Sequence, residues 1–268
     1  MIQERSFDGI SRRSARVVVL VLVISWLTGC VRAPRVELPG SRQDPEVSAQ
    51  VCRAMMKDRS SSAALRAMVE ATVHVGSHES VSFRYGIVHK EPSMMRIDVL
   101  PLEGAYTLGL FTLKDGTARF IDTQERTYAE ESSADTLLEH FLGLRGLSPR
   151  VVLALLERQV PELACERVAV FVNQKNSVIL DPVDHLAWTV DGVSPRLESV
   201  AILDSSNEVI EARASIASSP SAYPTIGITV YAPTSASAHL LIKKMTPNPE
   251  VADRIFEVPI PSGYRRID

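Results

Sequence analysis

The chain has 268 residues, 45% of them apolar and 23% charged. That is the balance of a globular protein, and it excludes wholesale disorder and collagen- or coiled-coil-like fibres. A formal net charge of −3, with no long basic block beyond the N-terminal segment, leaves nothing to attract a nucleic acid.

The N-terminal segment carries Arg5, Arg12, Arg13 and Arg16, then an apolar run over 17–24, then Leu27-Thr28-Gly29-Cys30. A basic stretch, a short apolar core and small residues before a cleavage point make a secretory signal. The run is too short for a comfortable membrane span. Leu-Thr-Gly-Cys matches the bacterial lipobox, whose cysteine thiol is alkylated by a diacylglycerol and becomes the new N-terminus. Residues 1–29 are therefore expected to be a lipoprotein signal peptide, and Cys30 the lipidated residue. The alternative is an uncleaved anchor that happens to hold a cysteine. Ser11-Arg12-Arg13 faintly suggests a twin-arginine signal, but the rest of that motif is missing, so Sec export is expected. Val31 follows the cysteine. Aspartate there commonly retains lipoproteins at the inner membrane, so its absence favours the outer membrane.

Residues 30–45 hold three prolines and alternating charges, which reads as a flexible tether. Val47, Val51, Ala54 and Met55 then fall at helical spacing, so a helix is expected over 46–58. With no internal repeat and no second linker, residues 46–268 read as one domain. Three cysteines are too few for a disulfide-built scaffold. Cys52 and Cys165 either form a disulfide, which the periplasm permits, or lie apart as small buried residues.

Strands follow from residue 65. Phe83, Tyr85 and Ile87 alternate with Ser82, Arg84 and Gly86, and Met95, Ile97 and Val99 alternate with Arg96 and Asp98. Both are period-2 patterns of a sheet with one buried face. Residues 105–113 are apolar on both faces, with Leu108, Leu110 and Phe111. Asp115-Gly116 then supplies a hairpin turn, because this pair tolerates positive φ, and 118–122 returns as the partner strand. Two helices are expected in the middle. One covers 133–142, with Leu137, Leu138 and Phe141 on one side. The other opens at Ser148-Pro149, a capping serine followed by a first-turn proline. Its body, Val151 to Leu156, is apolar almost all round and requires burial on most sides. Beyond it, Ile210, Ala212, Ala214 and Ile216, then Ile226, Ile228 and Val230, then Leu240 and Ile242 alternate as strands. Strands grouped with strands, and helices with helices, argue for an antiparallel sheet with helices on one face rather than βαβ units.

Three segments, in this order, resemble the lipoprotein-localisation factors of the LolA/LolB family. Met95-Arg96-Ile97-Asp98-Val99-Leu100-Pro101-Leu102-Glu103-Gly104 is similar to the family's strand and Pro-Leu-Gly turn, with Glu103 as an extra residue. Asp115-Gly116, Tyr128, Leu142-Gly143-Leu144, Ser148-Pro149 and Leu155-Leu156 follow its strand, tyrosine, small helix, glycine loop and second helix. Leu240 to Asp268, with Asn248-Pro249 and Phe256 to Pro261, is similar to its last strand and F-x-x-P-x-P close. The resemblance covers residues 50–268. It implies an α+β fold: a curved antiparallel sheet, an unclosed β-barrel, with helices covering the concave face and acyl chains held between.

The resemblance also implies a role. Within this family LolA is the soluble carrier and LolB the outer-membrane lipoprotein that accepts its cargo. The lipobox favours the LolB-like role. The expected partners are acylated lipoprotein cargo, a periplasmic LolA-like carrier, and the membrane through Cys30, with the protein a monomer. Leu102, beside Pro101 in the turn, matches the family's protruding leucine that helps deliver cargo into the membrane. Read from its residues alone, the same turn leaves Leu102 either half-buried or exposed at a tip. Strand alternation offers Phe83, Tyr85, Ile87, Met95, Ile97, Val99 and Phe111 as the acyl-chain lining. Met56, Met94 and Met95 are adaptable surfaces of the kind that handover needs.

No enzyme is expected, since the chain has no G-x-S-x-G, Walker A, Rossmann or H-E-x-x-H motif. No cofactor is expected either. His74 and His78 lie four apart on what reads as strand and turn, roughly 13 Å on one face, too far for one metal ion. Glu130, Glu131 and Asp135 read as stabilising a helix N-terminus. Arg145, Arg150 and Arg158 read as a solvated face or a docking surface for an acidic carrier. The reading from another class is an envelope scaffold lipoprotein whose cavity is filled by its own side chains. A sensor for a single free lipid is a third.

Overall fold

The structure, a computed structural model, describes residues 33–36, 38, 40–57, 62–75, 80–104, 106–131, 133–137, 148–217, 223–231 and 236–267. The expected signal peptide, Cys30, His78, His140 and Arg145 lie outside the described residues, as does the C-terminal part of the helix expected over 133–142.

In chain order the elements are β1 (Ser41–Arg42), α1 (Pro45–Lys57), β2 (Ala64–Val75), β3 (Val81–Lys90), β4 (Met94–Pro101), β5 (Gly109–Lys114), β6 (Thr117–Asp122) and β7 (Thr127–Glu131). Then come α2 (Pro149–Glu157), β8 (Ala169–Val172), β9 (Asn176–Asp181), β10 (Leu186–Asp191), β11 (Leu197–Leu203), β12 (Ile210–Ala217), β13 (Thr225–Val230) and β14 (Ala236–Pro247). A 3₁₀ turn at Asp253–Phe256 and β15 (Arg265–Arg266) end the chain. All the strands form one unclosed, curved sheet in the order β1-β8-β9-β10-β11-β12-β13-β14-β2-β3-β4-β5-β6-β7-β15. Every pairing is antiparallel except β15 with β7.

Cross-strand partners point to the same face, so the register assigns the faces. One row runs from Ile228 through Ala214, Val200, Trp188 and Ile179 to Val170. These residues cluster with Val151, Ala154 and Leu155 of α2 and with Cys52 of α1. This helix-bearing side is the inner face. α2 begins where the sequence places it: Ser148 Oγ accepts from Val151 N at 3.2 Å, ahead of Pro149. It stops at Arg158, whose left-handed φ of 56° lets its N–H reach Ala154 O. Cys52 and Cys165 form a disulfide that ties α1 to the segment leading into β8.

The first and last described segments both lie on the outer face. The described residues of 33–42, expected as tether, pack on the sheet instead. Val36 N donates to Glu208 O at 2.8 Å, and Ile210 N to Pro34 O at 2.9 Å. Val36 and Leu38 pack against Val178, Ala187, Ala201 and Ile210. The segment lacks periodicity because it is not a regular element, yet it supplies apolar cover that these strands require. It then pairs along the edge of β8 as β1.

The C-terminal segment crosses the outer face of the other half. Four successive strands each send a cation to it. Lys90 pairs with Asp253 and donates to Val251 O, Arg96 donates to Ile255 O at 2.9 Å, Lys114 pairs with Glu257, and Arg119 donates to Val258 O at 2.7 Å. Asp98 and Glu130 hold the two arginine forks in place from their other side. Glu130 therefore serves Arg119 from β7 rather than a helix N-terminus. The Lys90 ammonium holds the Asp253 carboxyl below its usual pKa. Phe256 is buried with Ala64 and Val251, and the chain ends as β15, parallel to the edge of β7.

Two stability tests follow. Replacing Cys52 and Cys165 together by alanine opens a loop with a sequence separation of 113 residues and is expected to cost about 4 kcal/mol, read from urea midpoints. Phe256→Ala empties a buried aromatic site and is expected to cost about 3 kcal/mol. It should also make the C-terminal segment the first site of proteolysis.

Candidate functional site

The register brings all seven proposed lining residues to the inner face. Tyr85 faces Val99, Ile87 faces Ile97, Ile97 faces Phe111, and Phe83 and Met95 stand opposite Pro101 and His89. They differ in burial. Ile87, Met95 and Phe111 are core, with Met95 and Phe111 in a cluster completed by Ala118, Phe120, Ala129 and Leu137. Phe83, Tyr85, Ile97 and Val99 are half-buried. So are their inner-face neighbours Val73, Ala238, Leu240 and Ile228. Among the described residues, then, the inner face has two parts. On β8–β11 it is packed by α2. On β13, β14, β2, β3 and β4 a band of apolar side chains stays half-open.

The band carries little polarity. Burial pushes the Tyr85 phenol pKa up, which keeps it neutral at any ordinary pH. His89, 9% exposed, sits at the closed end of the same face between Leu65 and Met95. Burial lowers its pKa, and the Glu91 carboxylate opposes that shift.

The band runs out at Pro101, next to the β4–β5 turn. That turn is held from both sides. Arg84 Nη2 donates to Leu102 O at 2.8 Å, and Thr123 Oγ1 donates to Thr107 O and Leu108 O. Gly104 has φ +104°, and a Cβ there would meet the Tyr106 ring at 3.1 Å, so both conformation and space call for glycine. Leu102 is 41% exposed and Tyr106 60%. Sequence reading missed Tyr106. It placed a strand from residue 105, whereas β5 starts at Gly109. The cue is Gly104 itself, a turn residue directly before the aromatic.

The other residues singled out from sequence do not converge. His74 lies near His239, ring centroids 6.2 Å apart and edge-on. No group of three or more His, Cys, Asp or Glu that could hold a metal ion occurs among the described residues. Arg150 pairs with Asp184 at 2.8 Å. Beside the disulfide, a groove of about 340 Å³ is lined by Arg53, Met56, Lys57, Glu162, Leu163, Cys165 and Glu166, and Arg53 and Glu166 pair there at 2.7 Å.

No protein-family model matches the sequence, and no curated protein matches it significantly. Solved structures do match. A LolA superfamily protein from Nitrosomonas europaea superposes with a TM-score of 0.54 at 10% identity, over 79% of this chain and 98% of that one. A DUF1329 family protein from Desulfovibrio piger gives 0.56 at 9% identity, over 80% and 98%. A putative outer membrane lipoprotein-sorting protein domain from Vibrio parahaemolyticus gives 0.50 at 10% identity, over 80% and 97%. At such identities the likeness is one of fold: this chain has a LolA-like fold.

His89 gives the site a pH signature. Its folded pKa is depressed, so stability is full above the ordinary value of 6.5. It falls as pH drops below that value, because the unfolded chain takes up a proton that the fold resists. His89→Gln is expected to flatten the decline in urea midpoint between about pH 7 and 5 relative to the native chain.

Proposed function

We propose that this protein is an outer-membrane lipoprotein, anchored by Cys30, that takes the acyl chains of other lipoproteins onto its inner face and helps insert them into the outer membrane. On this reading the inner face is concave, and the helices are a partial lid over it. The observation that carries the proposal is the half-open apolar band ending beside an exposed Leu102. Three acyl chains of roughly a dozen methylenes each cost on the order of 30 kcal/mol to expose to water. A lipoprotein therefore needs an apolar host while it crosses the periplasm. A band with a neutral phenol, aliphatic side chains and no ion pair binds chains by contact area alone, so cargo can leave for a membrane of equal polarity. Phe83, Tyr85, Ile97 and Val99 would touch cargo, with Ile87, Met95 and Phe111 as the floor. A periplasmic LolA-like carrier would supply the cargo, and Leu102 would lead it into the bilayer. The fold shared with a lipoprotein-sorting domain supports this reading.

The packed part of the inner face favours the second reading, an envelope scaffold that acts through protein contacts. There Trp188, Ile179 and Val151 are fully enclosed, and no acyl chain could enter without displacing α2.

Native mass spectrometry separates the two. The domain from Ala33 onward, exported behind an ordinary cleavable signal, is expected to copurify with acylated peptide or lipid. Val99→Glu, which places a charge in the band at a half-buried position, is expected to abolish that mass without changing the circular dichroism. Leu102→Glu should keep the bound mass but stop transfer to vesicles. A clean apo mass that persists when lipoprotein is supplied would favour the scaffold.

A further inference from the structure

Antiparallel neighbours run in opposite directions, so β2, β4, β6, β9, β11 and β13 all finish at one end of the sheet. Three exposed apolar side chains mark that end: Leu102 and Tyr106 after β4, and Val183, 53% exposed, after β9. The chain also enters the domain there. Pro34 O receives the N–H of Ile210, Arg35 bridges Val209, and Val36 donates to Glu208, all at the turn between β11 and β12.

Cys30 lies four residues before Pro34. Fully extended, that stretch spans about 14 Å. An acylated cysteine is held at headgroup depth by its chains. Pro34, fixed on the sheet by its hydrogen bond, can therefore rise no further than this above the membrane. The opposite end cannot come equally close in the same pose. β11 alone, seven residues long, puts about 23 Å between the two ends. The length of free chain, and where it meets the sheet, thus select one end of the domain.

We propose that this end of the sheet docks on the phospholipid leaflet, with Leu102, Tyr106 and Val183 at the headgroup–acyl boundary and the stretch from Cys30 to Pro34 as a short leash. The proposal rests on the reading that Cys30 is acylated. Tyrosine suits that boundary, its ring apolar and its hydroxyl wet. Leucine and valine add apolar area, and the leash removes the need for tight binding by any one of them. Docked so, the open band runs out at Pro101, beside the membrane that receives the cargo.

The test uses the full-length acylated protein in vesicles of phosphatidylethanolamine and phosphatidylglycerol. Single substitutions Tyr106→Cys, Val183→Cys and Val193→Cys carry a fluorophore, and spin-labelled lipids quench it. Val193, 95% exposed, sits at the opposite end. Quenching at 106 and 183 with none at 193 is expected. Quenching at 193, or at none of the three on vesicle-bound protein, overturns the docking. Inserting about 20 Gly/Ser residues between Arg32 and Ala33 lengthens the leash by about 25 Å, and loss of quenching at 106 and 183 is expected. Quenching that survives the insertion unchanged overturns the leash. The mass of the N-terminal peptide reports separately on the acyl group: an unmodified Cys30 overturns the underlying reading along with the docking, whereas an acylated Cys30 with the wrong labels quenched overturns the docking alone.

Discussion

An unclosed sheet has two edges, and each presents a row of unpaired N–H and C=O groups. This protein meets that constraint with the first and last strands of its described residues. β1 pairs along β8, and β15 pairs along β7. Each pairing is only two residues long, because the segment leading to it is occupied elsewhere. Residues 33–36 and 38 lie on the outer face of one half, and 251–258 on the outer face of the other. One arrangement therefore covers the edges and the outer apolar rows together. The C-terminal segment passes β3 to β6 and ends as β15, parallel to β7.

With the outer face covered by irregular chain, the inner face is left to the helices, and one nine-residue α2 cannot span so wide a sheet. It serves the half formed by β8–β11, where Trp188 and its neighbours are sealed. The disulfide holds α1 and the entry to β8 against the same half. Along β13, β14, β2, β3 and β4 the cover is partial: Ile226, Ile242, Val69 and Ile87 are buried in the same cluster as α2, whereas Ile228, Leu240, Tyr85 and Ile97 stay half-buried. The half-open band is thus a consequence of helix length set against sheet width. It needs no special sequence beyond ordinary strand alternation.

That explains which parts were legible. Phe83-x-Tyr85-x-Ile87 and Met95-x-Ile97-x-Val99 show clean alternation because their other face is polar, carrying Arg84, Arg96 and Asp98. Asp115-Gly116 and Ser148-Pro149 are local signals with local causes, and both sit where turn and cap chemistry places them. β9 was not legible, since Val178-Ile179-Leu180 is apolar on both faces and has no period to read. The reason is visible in the fold. Ile179 faces α2, while Val178 and Leu180 face the N-terminal segment. The two terminal segments were hidden for the opposite reason. Their contacts are made by single residues such as Val36, Leu38 and Phe256, and by backbone carbonyls that accept from arginines far away in sequence. No window of neighbouring residues carries that information.

Stability and exposure are linked in this design. A band of half-exposed aliphatic and aromatic side chains is a liability in a folding domain, because it invites collapse or association. It is tolerable only where other parts of the molecule fix the strands that carry it. Here the fixing is done from behind. Lys90, Arg96, Lys114 and Arg119 belong to β3, β4, β5 and β6, and all four bind the C-terminal segment on the face opposite the band. β3 and β4 carry Phe83, Tyr85, Ile97 and Val99 on one side and the first two cations of this row on the other. The polar clamp holds the band's strands from outside, where water can reach the clamp and the proposed cargo would not. An apolar clamp on the inner face would do the same for stability, but it would occupy the surface that the proposed function leaves open.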